Sequence, residues 1–133
     1  MQKPQIEQEV VLSCSSKYAY DAWLDSNTHG AMIGAEAEVE PKVGGEFSIW
    51  DGYLVGKTLE LHSNPLKIVQ SWRDTSSGWP DYHYSTIEIE FLPHGKKGTL
   101  IKFAQNGVPE KFVESIEQGW KDFYWDKMKE YFD

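Results

Sequence analysis

The residue types that commonly carry chemistry are few in this chain, and they are scattered. Four histidines, His29, His62, His83 and His94, fall in separate segments. No two have the i, i+4 or short-loop spacing that brings imidazoles onto one metal ion, and the sole cysteine, Cys14, cannot complete a closed zinc site. No metal and no cofactor is expected. His83 lies between Tyr82 and Tyr84 and close to Asp81, the composition of an acid–base pair, but a mixed polar stretch before a strand is ordinarily solvated loop. Cys14 has no basic neighbour before Lys17, so nothing beside it favours the thiolate. A Gly-x-Ser-x-Gly elbow is absent, and Gly44-Gly45 lacks the rest of a phosphate loop. That pair reads as a turn or bulge before the strand carrying Phe47, and no catalytic residue is assigned.

Aromatic side chains are what the chain has in quantity: 6 Trp, 7 Tyr and 6 Phe in 133 residues. Phe47, Trp72, Phe103, Trp120 and Tyr124 occupy apolar positions that converge if a sheet packs on the last helix. They either fill a core, at about 1.5–3 kcal/mol each, or line a cavity for an apolar ligand. With Ile49, Leu61, Gln70, Ile87 and Ile89 they form the candidate ligand-binding set. Gln70 and Gln105 are polar on apolar faces, so each belongs to a satisfied network or is a handle for a ligand. Lys127 is expected to snorkel near the helix end. Trp79, in a Gly-Trp-Pro loop, and Trp125, about 140° around an α-helix from Trp120, fall off the apolar stripe. They are the candidate partner-binding residues, with packing onto a sheet edge as the other reading.

Composition narrows the partners. Lys and Arg number 13 against 21 Asp and Glu, a net charge of -8, which repels duplex nucleic acid and anionic membrane. No 18-residue apolar run is present to span a bilayer. A lone cysteine and no basic start leading into an apolar run point to a reducing cytoplasm.

Turn signals locate the elements that must position these side chains. Asp51-Gly52 between two apolar runs predicts a hairpin with a two-residue primed turn. Asn64-Pro65, the stretch from Ser76 to Asp81, and His94-Gly95-Lys96-Lys97-Gly98 mark further breaks. Between them the pattern alternates: Ile87, Ile89 and Phe91 on one face, Thr86, Glu88 and Glu90 on the other. Ile68, Gln70 and Trp72 share a face, as do Ile6, Gln8, Val10 and Leu12. The run Tyr53, Val55, Lys57, Leu59, Leu61 is interrupted at Lys57, which suggests a bulge at Gly56. Ser15 or Ser16, then Asp25 or Ser26, can cap two short helices. A long helix opens at Pro109-Glu110, with Val113, Ile116, Trp120, Phe123, Tyr124, Met128 and Tyr131 on one stripe. Gly119 inside it suggests close backbone approach. The order is a strand, two short helices, about six strands and a long helix, an α+β arrangement forming a single domain over residues 1–133.

An ordered set of short motifs carries a family resemblance across nearly the whole chain. It comprises Tyr18-Ala19-Tyr20-Asp21-Ala22-Trp23-Leu24-Asp25, Val43-Gly44-Gly45-Glu46-Phe47, Asp51-Gly52 followed by Gly56, and Ile68-Val69-Gln70-Ser71-Trp72-Arg73. Gly98-Thr99-Leu100, Gly107-Val108-Pro109, and Gln118-Gly119-Trp120 followed by Tyr124 complete it. The set resembles the C-terminal domain of the activator of Hsp90 ATPase, within the START-related superfamily. The resemblance implies a helix-grip fold, a curved antiparallel sheet of about six to seven strands wrapped around a long C-terminal helix. It further implies a non-enzymatic domain, associated with an Hsp90-type chaperone or holding a small apolar ligand between sheet and helix. Cyclase- or hydratase-like chemistry on the same fold is the alternative.

Overall fold

Alternating apolar positions from Ile6 onward build a seven-stranded antiparallel sheet, order β1-β7-β6-β5-β4-β3-β2, in a computed structural model that describes residues 4–133. The strands are β1 (Ile6–Leu12), β2 (Ala37–Val39), β3 (Glu46–Ile49), β4 (Leu54–Ser63), β5 (Leu66–Asp74), β6 (Ser85–His94) and β7 (Gly98–Asn106). Helices α1 (Ser16–Leu24) and α2 (Ser26–Ile33) follow β1, and a long helix over residues 110–132 closes the chain. The expected element order, α+β class and curved antiparallel sheet are all observed.

The caps explain the short helices. Ser15 accepts from the Tyr18 amide, and Asp25 accepts from the Thr28 amide and hydroxyl, which holds the Asp25 carboxyl below its ordinary range. Ile68, Gln70 and Trp72 face inward as expected, opposite Ile87 and Ile89 of β6.

Four local expectations are corrected. The β3–β4 connection is not a two-residue turn: Ile49 pairs with Leu54, and residues 50–53 lie between them. Trp50, Asp51 and Gly52 are all left-handed, at φ 54°, 53° and 90°. The β4 bulge is at Leu59, where the register shifts between Thr58 and Glu60, and not at Gly56. Gly56 instead lets strands approach, since a Cβ there would lie 1.9 Å from the Ser71 carbonyl oxygen and 2.6 Å from the Phe47 ring. Gly119 is not a close approach either; a Cβ there would meet only Phe123, at 3.8 Å.

The fourth correction concerns the last helix. Its residues 113–119 are α-helical, 120–125 form a π-helical turn, and 126–132 return to α. A π turn bonds i to i−5 and so brings residues five apart onto one face. Trp125 is thereby turned inward, 4% exposed, beneath Trp120, and Phe132 takes the inner place expected of Tyr131. Phe123 and Tyr131 face solvent, at 52% and 43% exposure.

Candidate functional site

Three buried indoles each find a glutamine. Trp23 Nε1 donates to Gln70 Oε1 at 3.1 Å, Trp120 Nε1 to Gln105 Oε1 at 2.8 Å, and Trp125 Nε1 to Gln8 Oε1 at 2.6 Å. The amide nitrogens are used as well: Gln70 Nε2 donates to Thr58 Oγ1, Gln105 Nε2 to Ser85 Oγ, and Gln8 Nε2 to the Glu117 carbonyl leading into the π turn. Gln70 and Gln105 therefore belong to satisfied networks, each on strands facing the helix layer. Around these bonds Trp23, Trp72, Phe103, Trp120, Tyr124 and Trp125 form one aromatic cluster, with centroid separations from 4.5 Å for Phe103–Trp120 upward.

His29 connects this cluster to α2. Its Nδ1 lies 2.7 Å from the Trp23 carbonyl and its Nε2 2.9 Å from the Tyr124 hydroxyl. A carbonyl only accepts, so the neutral ring carries its proton on Nδ1, and Tyr124 donates to Nε2. Burial pushes the imidazole down to about 4, against the opposing pull of the Trp23 carbonyl. Burial also pushes the Tyr124 phenol up, beyond its ordinary range.

Trp79 and Trp125, expected to point off the apolar stripe, are both buried. Each is 4% exposed: Trp125 because of the π turn, Trp79 because its loop folds the indole onto Trp72, at 5.8 Å, and His83, at 5.9 Å. Trp79 Nε1 has no hydrogen-bond partner, the one such buried side-chain atom among the described residues. His83 is held structurally, with Nε2 at 2.7 Å from the Gly107 carbonyl. Burial raises the Cys14 thiol, with a smaller opposing effect from Thr99. Lys127 is exposed, its amine reaching Gly34 at the end of α2.

The ligand-binding set divides. Phe47, Ile49, Gln70, Ile87, Ile89 and Phe103 are buried and Leu61 half-buried, and none of the seven lines the aromatic cleft beside the last helix. Trp72, Trp120 and Tyr124 line that cleft, which opens between the β3–β4 connection and the last helix and has a volume of about 320 Å³. Its other walls are Trp50, Tyr53, Leu54, Asp74, Ser77, Ser115, Ile116, Gly119 and Phe123, none of them in the expected ligand-binding set. Asp74, 6% exposed, accepts from the Ser76 and Ser77 amides at 2.9 and 3.1 Å and from the Ser77 hydroxyl at 2.7 Å. Gly119 keeps the cleft open from the helix side, and the adjoining Asp51-Gly52 turn was the available signal for Trp50.

An antiparallel sheet gripping a terminal helix, with two short helices inserted after its first strand, is a helix-grip domain. The profile of the family described as activator of Hsp90 ATPase homolog 1-like protein matches residues 13–133. The chain belongs to that family. It is 35% identical over 121 residues to the activator of 90 kDa heat shock protein ATPase homolog of Dictyostelium discoideum, covering 90% of this chain and 30% of that one. To the human homolog 1 it is 33% identical over 103 residues, covering 77% of this chain and 29% of the other. It thus spans about a third of the length of these curated relatives. The crystal structure of an HSP90 activator from Plasmodium falciparum superposes with a TM-score of 0.81 at 26% identity, covering 95% of both chains. Among the described residues no helix is long and apolar enough to cross a membrane.

Proposed function

We propose that this chain is a non-enzymatic domain that engages an Hsp90-type chaperone. The observation carrying the reading is the superposition on the Plasmodium HSP90 activator, in which a domain of this same extent accounts for 95% of the chain. The groups nearest to acid–base chemistry are already engaged: Asp74 is held by Ser76 and Ser77, and Tyr124 donates to His29. General acid–base catalysis needs two titratable groups free to reach one ligand atom, which weighs against the cyclase or hydratase alternative. Calorimetric titration of the chaperone with this chain, with the chaperone's ATP hydrolysis followed in parallel, tests the reading. A complex at about micromolar Kd with accelerated hydrolysis is expected. No complex at concentrations of roughly tens of micromolar rejects it.

A second reading concerns the cleft. Its volume of about 320 Å³ and its lining by Trp72, Trp120 and Tyr124 favour a small-ligand site at the mouth of the sheet–helix interface, whose interior the Trp–Gln pairs otherwise fill. Retention of a small molecule by native mass spectrometry, lost when Trp50 or Phe123 is replaced by a charged residue, is the expected result. A protein that binds nothing from a fragment mixture at this cleft rejects it.

A further inference from the structure

We propose that the cleft is a cage for an organic cation, a quaternary ammonium headgroup. The proposal rests on the cleft being a ligand site and is independent of the chaperone reading. Six aromatic side chains line the cleft: Trp50, Tyr53, Trp72, Trp120, Phe123 and Tyr124. Trp50 stands nearly perpendicular to three of them, at 80° to Tyr53, 83° to Phe123 and 88° to Tyr124, with centroids 6.1–6.4 Å away. Rings set at right angles present their faces and edges to the same space from different directions. The face of an aromatic ring carries negative potential, so a cation seated at such a corner is attracted by more than one ring.

The charge in the cleft has the matching sign. Among the described residues Asp74 is the single ionisable carboxylate on its wall, and no Lys, Arg or His lines it. The groups that hold Asp74 are amides and hydroxyls of Ser76 and Ser77, which are neutral, and no ion pair among the described residues involves it. Its charge is therefore not cancelled by a protein cation. A purely apolar ligand would gain nothing from that carboxylate, an anion would be repelled by it, and a trimethylammonium group would meet both the rings and the charge. The volume, about 320 Å³, is near the lower end of ligand sites, fit for a headgroup more than for a long hydrocarbon.

The backbone supplies a separate observation. Trp50 is held at φ 54°, a left-handed conformation that is strained for a bulky residue and is rarely kept without a use. The neighbouring left-handed residues Asp51 and Gly52 complete the turn from which the indole joins the cleft wall. Placement of that ring is what the strain secures.

The test compares choline with its neutral carbon isostere, in which a tert-butyl group replaces trimethylammonium, by titration of the full chain followed at the indole N–H signals in NMR. Choline is expected to move the Trp50 signal and to bind about tenfold more tightly than the isostere. Trp50→Leu should remove most of that preference, as should Asp74→Asn. Asp74 also anchors the following turn, so if Asp74→Asn does not fold, Trp50→Leu and the isostere comparison decide. Equal or tighter binding of the isostere overturns the cation proposal and leaves the small-ligand reading intact. No shift with either compound at roughly 50 mM also overturns the cation proposal, while the small-ligand reading is decided separately by the fragment mixture. A trimethyl-lysine peptide run as a further arm separates a free small-molecule headgroup from one presented on a protein chain.

Discussion

Trp120 and Trp125 stack with ring centroids 5.5 Å apart and planes 19° apart, although they stand five positions apart in one helix. A continuous α-helix would hold the two indoles about 140° apart. The π turn removes that offset, and Gln8 fixes the result from outside the helix by accepting from Trp125 Nε1 and donating to the Glu117 carbonyl. β1 and the helix are thus joined by one amide that serves both an indole and a backbone carbonyl.

Gln8→Leu should leave that indole N–H and that carbonyl unpaired in a half-buried setting. A loss of about 2 kcal/mol is expected, read as a lower urea midpoint with an unchanged m-value. A loss below about 0.5 kcal/mol would mean that water replaces the amide at no cost, and that the π turn is held by ring stacking alone.

Gln105 and Trp120 allow a coupling measurement. Gln105→Leu strands a fully buried indole donor, at a cost of about 1–3 kcal/mol, while Trp120→Phe strands Gln105 Oε1 and opens space. With both replaced, neither polar group is left unpaired. The double-mutant cycle should therefore show a coupling of at least about 1 kcal/mol in equilibrium denaturation, and strictly additive losses would contradict the pairing.

His29 should make stability depend on pH in a definite direction. The ring stays neutral in the native state down to about 4 but protonates near 6.5 when unfolded. Between those values the unfolded state binds more protons, so stability is full above about pH 6.5, falls as pH drops, and levels off below about pH 4. The full loss is on the order of 3 kcal/mol. Carboxylates titrate in the same range, so the comparison is with His29→Gln, whose stability should fall by that much less over the window. Parallel curves for the two proteins would show that His29 is not held neutral.

Much of this fold was legible because strand alternation and capping are local. Ile87, Ile89 and Phe91 announce β6 by period, and Ser15 and Asp25 announce α1 and α2 by their side-chain oxygens. The family resemblance and the helix-grip expectation agree with that order. What escaped was set by packing between distant segments. The π turn follows from fitting Trp120 and Trp125 against β1 and β7, so the ordinary helical period sent Trp125 outward and Tyr131 inward. The bulge at Leu59 depends on how β4 meets β5, and Gly56 drew attention away from it because a glycine is also needed where strands come close. The cleft was seen only in part for a related reason: Trp72, Trp120 and Tyr124 follow the strand and helix periods, but the remaining walls come from a left-handed turn, strand ends, a loop after β5 and the flank of the helix, places with no common period. His29 was detectable, since Met32 and Ile33 lie three and four residues on and share its buried face.

Gly119 separates the structural and functional demands on the helix. Its φ of -60° is ordinary for any residue, and a Cβ would touch only Phe123 at 3.8 Å, so nothing in the fold requires glycine there. Gly119→Ala should stabilise the protein by about 0.5–1 kcal/mol and raise Tm by about 3 °C, because alanine loses less backbone freedom on folding. The added methyl group projects from the cleft wall, so the same variant should bind choline several-fold more weakly. Thermal denaturation and the NMR titration on one sample read both effects. A variant that is more stable and binds equally well would remove Gly119 from the cleft's working wall. One that is less stable would show that the π turn itself depends on glycine at its entrance.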